Sequence, residues 1–120
     1  MFDGREPLYV QIADQIRSDV LTGALRAEEQ VMSTTQYATT FRINPATAAK
    51  AFTELVDEGV LYKRRGIGMF VAEGAREQLL AQRRAAFFAY VVEPMLEQAR
   101  VLDIGVDEIV DRLRQKEGPR

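Results

Sequence analysis

The stretch RINPATAAKAF, Arg42 to Phe52, decides how the rest of this 120-residue chain is read. Asn44 is a capping residue, able to accept hydrogen bonds from the free N–H groups of a first helical turn. Pro45 fits the first helical position, where no N–H is needed. Ala46, Thr47, Ala48, Ala49, Lys50 and Ala51 follow, so the helix carries almost nothing bulky along one side. Such a helix is either a thin spacer or a rod whose bare face lies against something large.

The flanking segments choose between these. Upstream, Leu8, Ile12, Ile16, Val20 and Leu21 recur at helical spacing, which predicts an amphipathic helix over Leu8 to Leu21 closed by Thr22-Gly23. Ala24 to Met32 reads as a loop. In STTQYATTF, Ser33 and Gln36 have the spacing of a capping box, so a two-turn helix follows with Tyr37, Ala38 and Phe41 turned inward. After the turn Arg42-Ile43 comes the helix from Pro45 to Glu58. Its inner stripe is Ala48, Phe52, Leu55 and Val56, and Gly59 ends it. In VLYKRRGIGMFVAEG the period changes. Val60 to Lys63 and Met69 to Ala72 are short β-prone runs about the RRGIG turn, the pattern of a two-stranded hairpin. A short helix, a tight turn, a capped helix and a trailing hairpin make a helix-turn-helix with a wing. The helix at Pro45 is then a recognition helix, whose small outer residues let its backbone approach a DNA groove.

Composition bounds the alternatives. With 47% apolar and 28% charged residues the chain has the make-up of a globular protein. The absence of cysteine removes disulfides and thiolate metal sites. MFDGREPLYV lacks the layout of a signal peptide, and AAFFAYVV, Ala85 to Val92, is far shorter than the roughly 18 residues of a membrane span, so no membrane partner and a cytoplasmic location are expected. With neither histidine nor cysteine, and no nucleophile or phosphate-loop motif, no catalytic residues, no metal site and no cofactor are expected. The charge balance argues mildly against nucleic acid: Met1 to Gly74 holds eight basic and ten acidic residues. Distribution matters more than the total, because Lys63, Arg64 and Arg65 are consecutive and no acid lies between Val60 and Ala72.

PLYVQIADQIRSDVLTGAL, the Ser33 helix and INPATAAKAFTELVDEGVLYKRRGIGMFV together resemble the winged-helix domain of the GntR family of bacterial transcription regulators. The Ile43-Asn44-Pro45 step with a short helical tail is similar to its YtrA-type branch. The resemblance implies a DNA-binding surface from three places: Ser33 and Thr35; Asn44, Ala46, Thr47 and Lys50; and the wing turn Arg64 to Gly68 over the minor groove, with Lys63, Arg64, Arg65, Gly66 and Gly68 at the backbone. Thr35, Pro45 and Ala49 stand where many relatives carry arginine, so Arg-type bidentate guanine contacts are absent there. Base readout falls to Asn44, Thr47 and Lys50, with methyl contacts from Ala46 and Thr47. Each has a plainer alternative: Asn44 as a cap alone, Thr47 and Lys50 as solvated positions. Tyr37 and Phe41 read as core, and Tyr62 receives no role.

Arg76 to Arg100 reads as one long helix with two adjacent apolar rows, Leu80, Phe87, Val91, Met95 and Ala81, Ala85, Phe88, Val92, Leu96, Ala99. Pro94 should kink it. Leu102 to Gly105 is a turn, Val106, Ile109, Val110 and Leu113 mark a last short helix, and Gly118-Pro119-Arg120 should fray. Two helices cannot bury Phe87, Phe88, Val91, Val92, Met95 and Leu96 alone. At roughly 25 cal/mol per Å², leaving them wet forfeits several kcal/mol. A two-fold homodimer through Leu80 and these six residues is the simplest remedy, and the resemblance implies the same. The expected protein is mostly α: a winged helix-turn-helix DNA-binding domain over 1–74, of three helices and a two-stranded hairpin, and a two-helix dimerisation region over 75–120. It would bind a palindromic double-stranded operator as a homodimer, as a repressor. The 46 residues after Gly74 are fewer than the effector domains of larger GntR branches. A cavity for a small-molecule effector of unknown identity near Phe87, Tyr90 and Met95 is the alternative to packed dimer core. The alternative to DNA binding is a winged-helix module that contacts another protein.

Overall fold

The computed structural model describes Gly4 and residues 6–118; Pro119 and Arg120, expected to fray, lie outside the described residues. The fold is mostly helical with one antiparallel hairpin. In order come α1 (Leu8–Thr22), α2 (Thr34–Phe41), α3 (Pro45–Asp57), β1 (Leu61–Arg64), β2 (Gly68–Val71) and α4 (Ala75–Phe87). A π-helical turn (Phe88–Val92), α5 (Glu93–Val101) and α6 (Val106–Glu117) complete it. The chain divides into two compact units between Leu80 and Ala81.

In the first unit the termini form as their residues dictate. Gly23 takes φ 87° beyond α1, a left-handed conformation that costs glycine little. At α2 the capping box is complete: Gln36 N–H donates to Ser33 Oγ and Ser33 N–H to Gln36 Oε1, both at 3.0 Å. Arg42, at φ 54°, ends α2, and the Ile43 N–H bonds back to the Ala38 carbonyl at 2.9 Å, which makes the turn tight. Asn44 Oδ1 accepts from the Ala46 N–H at 2.8 Å and caps α3. Helix α3 packs on α1, α2 and β1. Its buried face is Ala48, Ala51, Phe52 and Leu55, so Ala51 belongs to the core while Val56 is only half-buried. Ile12, Ala13, Ile16 and Val20 of α1 close the core from one side, and Tyr37 and Ala38 of α2 from another. Tyr37 lies against Phe41 and edge-on to Phe52, with ring centroids 4.5 and 5.6 Å apart.

Two expectations are corrected here. The segment read as a loop pairs with the hairpin: Gln30 bridges Phe70, Glu28 N–H donates to the Val71 carbonyl and Val31 N–H to that of Met69. The wing therefore has a third, short strand-like member. The ladder also runs one residue further toward the tip than expected, with Arg64 paired to Gly68. The free turn is Arg65-Gly66-Ile67. Ala75 and Leu79 of α4 sit in the same core. Arg76 Nε donates to the Leu21 carbonyl at 3.0 Å and Gln78 Nε2 to the Glu58 carbonyl at 3.1 Å, satisfying chain-end acceptors of α1 and α3. Leu79 was not expected in the core because it lies off both apolar rows.

In the second unit the single long helix is interrupted. Pro94 has no N–H to give the Tyr90 carbonyl and its ring crowds that group. The preceding turn widens, with the Glu93 N–H reaching the Phe88 carbonyl five residues back, so a π-turn forms just ahead of Pro94. Val92 and Leu96 are half-buried and Ala99 is buried at the turn into α6, where the Ile104 N–H bonds to the Ala99 carbonyl at 2.9 Å. The other row, Leu80, Phe87, Val91 and Met95, stays outside, and so do Tyr90 and Phe88, the latter from the same row as Val92: Phe87, Phe88, Tyr90 and Val91 are 52, 55, 78 and 51% exposed. No described helix is long and apolar enough to cross a membrane.

Phe52 is fully buried at the junction of α2 and α3. Phe52→Ala should cost ~3–5 kcal/mol of stability through lost transfer energy and an unfilled cavity. Urea denaturation checks this; a loss below about 1 kcal/mol would contradict the packing described.

Candidate nucleic-acid interface

The candidate interface draws on α2, α3 and the wing. Thr35, Gln36, Thr39 and Thr40 of α2, with Met32, line a shallow concavity. On α3, Ala46, Ala49 and Lys50 are exposed and Thr47 is half-exposed, so the small residues outside the core stripe do form an open face. Asn44 spends its Oδ1 on the cap, which leaves its amide Nδ2 donors free. Ser33 is committed to its capping box and has less to offer.

Lys50 is placed by something the sequence did not disclose. Its Nζ stands 4.0 Å above the centre of the Tyr9 ring of α1, a cation–π contact. The wing is organised in the same way. Tyr62, to which no role was assigned, donates from its hydroxyl to Glu28 Oε2 and stacks on Phe70 at 5.9 Å. The Glu28 hydrogen bond, followed by burial, raises the Tyr62 phenol above its ordinary pKa. Arg64 lies 4.6 Å above the Phe70 ring and 3.5 Å from Glu28 Oε2, so its charge is partly engaged within the wing. Lys63 and Arg65 are exposed and have no ion pair among the described residues. They are the wing's free positive charges.

At the wing tip, Gln30 Nε2 donates to the Ile67 carbonyl at 3.1 Å. Gly68 sits at φ 146°, and a Cβ there would lie 2.6 Å from that same Nε2. The glycine is required by its backbone, whereas the flexible end of Gln30 would only have to shift to admit a Cβ, at the expense of its bond to Ile67. Ile67, 61% exposed at the tip, was absent from the sequence-derived set. Arg17 fastens the far end of α3 to α1, bonding Glu58 and, at 2.7 Å, Asp14. The Glu58 hydrogen bond raises its pKa further against the opposing effect of burial. None of these long-range partners has a local sequence signal; pairing through space chose them.

A capped helix with a small-residue face, flanked by a braced basic hairpin, is an arrangement that known proteins share. Residues 8–71 match the gntR family of bacterial regulatory proteins. The chain belongs to that family. Among similar proteins is the HTH-type transcriptional repressor NagR of Bacillus subtilis, 36% identical over 74 residues, which is 62% of this chain and 30% of NagR. The uncharacterized HTH-type regulator YhcF of the same organism is 26% identical over 113 residues, 94% of this chain and 92% of YhcF. The repressor YtrA, also from Bacillus subtilis, is 34% identical over 74 residues, 62% of this chain and 57% of YtrA. The chain thus spans less than two thirds of NagR and of YtrA. A crystal structure of a transcriptional regulator from Oenococcus oeni superposes with TM-score 0.83 at 25% identity, covering 98% of this chain and 97% of that one. AraR(DBD) in complex with operator ORX1 superposes with TM-score 0.56 at 28% identity, covering 60% of this chain and 93% of AraR(DBD). This gntR-family chain is therefore a DNA-binding regulator by class.

Asn44→Asp separates the two roles open to that side chain. Asp caps a helix about as well as Asn, so stability should hold within about 0.5 kcal/mol. The donors would be replaced by a negative charge, so affinity for DNA should fall at least tenfold, read by fluorescence anisotropy. Unchanged affinity would leave Asn44 as a cap alone.

Proposed function

We propose that this protein binds double-stranded operator DNA as a homodimer and represses transcription there. Helix α3 and its cap residues, the segment from Asn44 to Glu58, enter the major groove through Asn44, Ala46, Thr47 and Lys50. Ser33 and Thr35 stand at the edge of that groove, and the wing from Lys63 to Gly68 follows the adjacent backbone and minor groove. The observation that carries this reading is the open, small-residue face of a capped α3 in a chain whose relative AraR(DBD) was solved on its operator. Residues 1–74 would be the DNA-binding domain and 75–120 the dimerisation region. Its role is regulatory rather than enzymatic, and it would act in the cytoplasm, where its operator lies.

Homodimerisation is supported by the exposed apolar side chains of Phe87, Phe88, Val91 and Met95, which stay wet in a single chain. A two-fold pair would set two α3 helices about 34 Å apart, or a multiple of that, and so read a palindrome. A small-molecule effector remains part of the proposal. Two concavities in the tail are lined by Ile104, Glu108, Ile109, Arg112 and Leu113, and by Glu97, Gln98, Val101 and Leu102, and neither of these two includes Phe87, Tyr90 or Met95.

Footprinting on DNA around the gene, followed by binding across salt concentrations, tests the function. Lys63→Ala with Arg65→Ala should weaken binding to all sequences and flatten the log–log salt slope by about 2, near 0.9 for each phosphate no longer neutralised. Absence of any salt-dependent DNA binding by the unaltered protein would favour a protein-binding module instead. Val91→Asp should convert a dimer to a monomer in sedimentation velocity; an unchanged mass would remove the tail from the interface.

A further inference from the structure

A concavity of about 330 Å³ opens in the first unit between α1, α2 and the strand-like segment before α2. Its floor is aromatic, formed by Tyr37, Phe41 and Phe52, and its rim carries the carboxylates of Asp19 and Glu29. None of its lining residues is basic. Asp19 accepts a hydrogen bond from Gln15 Nε2 at 3.1 Å, and Glu29 from the backbone N–H of Arg26 at 3.0 Å. Neither has an ion pair among the described residues. Tyr37 is only 7% exposed, and its hydroxyl has no hydrogen-bond partner among the described residues. Burial, and then the Asp19 charge, push the Tyr37 phenol above its ordinary pKa, so the field of that carboxylate reaches the aromatic floor.

The chemistry of such a place is selective. Anions meet two carboxylates and nothing to neutralise them. A neutral apolar guest gains from the aromatic floor but leaves both charges unanswered. A bare metal ion needs more oxygen ligands than the rim supplies. Among the described residues no group of three His, Cys, Asp or Glu is placed to hold one. An ammonium group joined to a flat apolar body satisfies both halves, by charge-assisted hydrogen bonds to the rim and cation–π attraction over the rings. The volume lies at the lower end of ordinary small-molecule sites.

We infer that this concavity binds a small organic cation, an aromatic or similarly apolar amine, with Asp19 and Glu29 taking the ammonium group and Phe41 and the open edge of Tyr37 taking its body. The site lies within the first unit and borders the DNA-facing surface, with which it shares Met32 and Gln30, and it stands whether or not the chain binds DNA. Its walls include α2 and α3, the two helices of the DNA-binding motif.

Titration of the full chain, followed through its amide resonances in 1H–15N spectra, tests this with three probes of one shape: phenethylamine, 2-phenylethanol and phenylacetate. The amine should give saturable shifts centred on Asp19, Val31, Tyr37 and Phe41, and the alcohol should bind about tenfold or more weakly for want of the charged hydrogen bond. Phenylacetate should bind least. Asp19→Asn, which keeps the shape and the Gln15 contact, should remove most of the preference for amine over alcohol. If that variant does not fold, Glu29→Gln on the exposed rim should reduce the preference in the same direction. Equal affinity for amine and alcohol, shifts mapping elsewhere on the molecule, or an undiminished preference in a folded variant would overturn the inference.

Discussion

The surface this protein offers to DNA depends on how closely α3 sits against α1 and α2. Ala48 and Ala51 are both completely buried, and no larger side chain would allow the same approach. Further along, Phe52 and Leu55 anchor the helix with bulk. The result is an uneven rod, thin on both sides over its first two turns and heavily rooted beyond them. The thin part is the part that, on the proposed function, enters a groove. It is held by the Asn44 cap and by alanine contacts rather than by large side chains that would also widen it.

The wing solves a different problem. A hairpin of two four-residue strands is not stable by itself in water. Pairing of β2 with the Glu28 to Val31 segment gives it a third member, and Gln30 braces the tip. Tyr62, Phe70, Arg64 and Glu28 make a stack on its surface. An exposed pair such as Arg64 with Glu28 is worth little by itself, at most about 1 kcal/mol. Its consequence is positional: one of the three consecutive cations turns back onto the wing, and the other two remain available. A positive spot in an acidic chain is thus narrowed to Lys63 and Arg65.

Much of the first unit was legible because its signals are local. The capping box at Ser33, the Asn44-Pro45 start and the glycines at helix ends each declare themselves within four residues. The apolar periods of α1 and α3 place the core face. What could not be read was set through space. The third strand member looks like a loop because Glu28, Glu29 and Gln30 have no strand character, and only the backbone of β2 recruits them. Leu79 sits off both apolar rows, and its burial depends on where α4 docks. The π-turn follows from Pro94, which was visible, but whether the helix bends or widens depends on the neighbouring turns. Tyr9 lies 41 positions from Lys50, and no pattern in either segment connects them.

That last contact bears on how binding would be assembled. An exposed cation–π contact is worth ~0.5–1 kcal/mol, whereas a base-edge contact contributes ~1–3 kcal/mol of discrimination. Lys50 can therefore leave Tyr9 for a base or phosphate with a net gain, and the ring does not trap it. Until then the contact limits the rotamers of a long side chain and keeps its charge on the α3 face, so less freedom is lost when DNA arrives. A lysine in this position is parked rather than withdrawn. On the proposed function, Tyr9 would set where the reading by Lys50 begins.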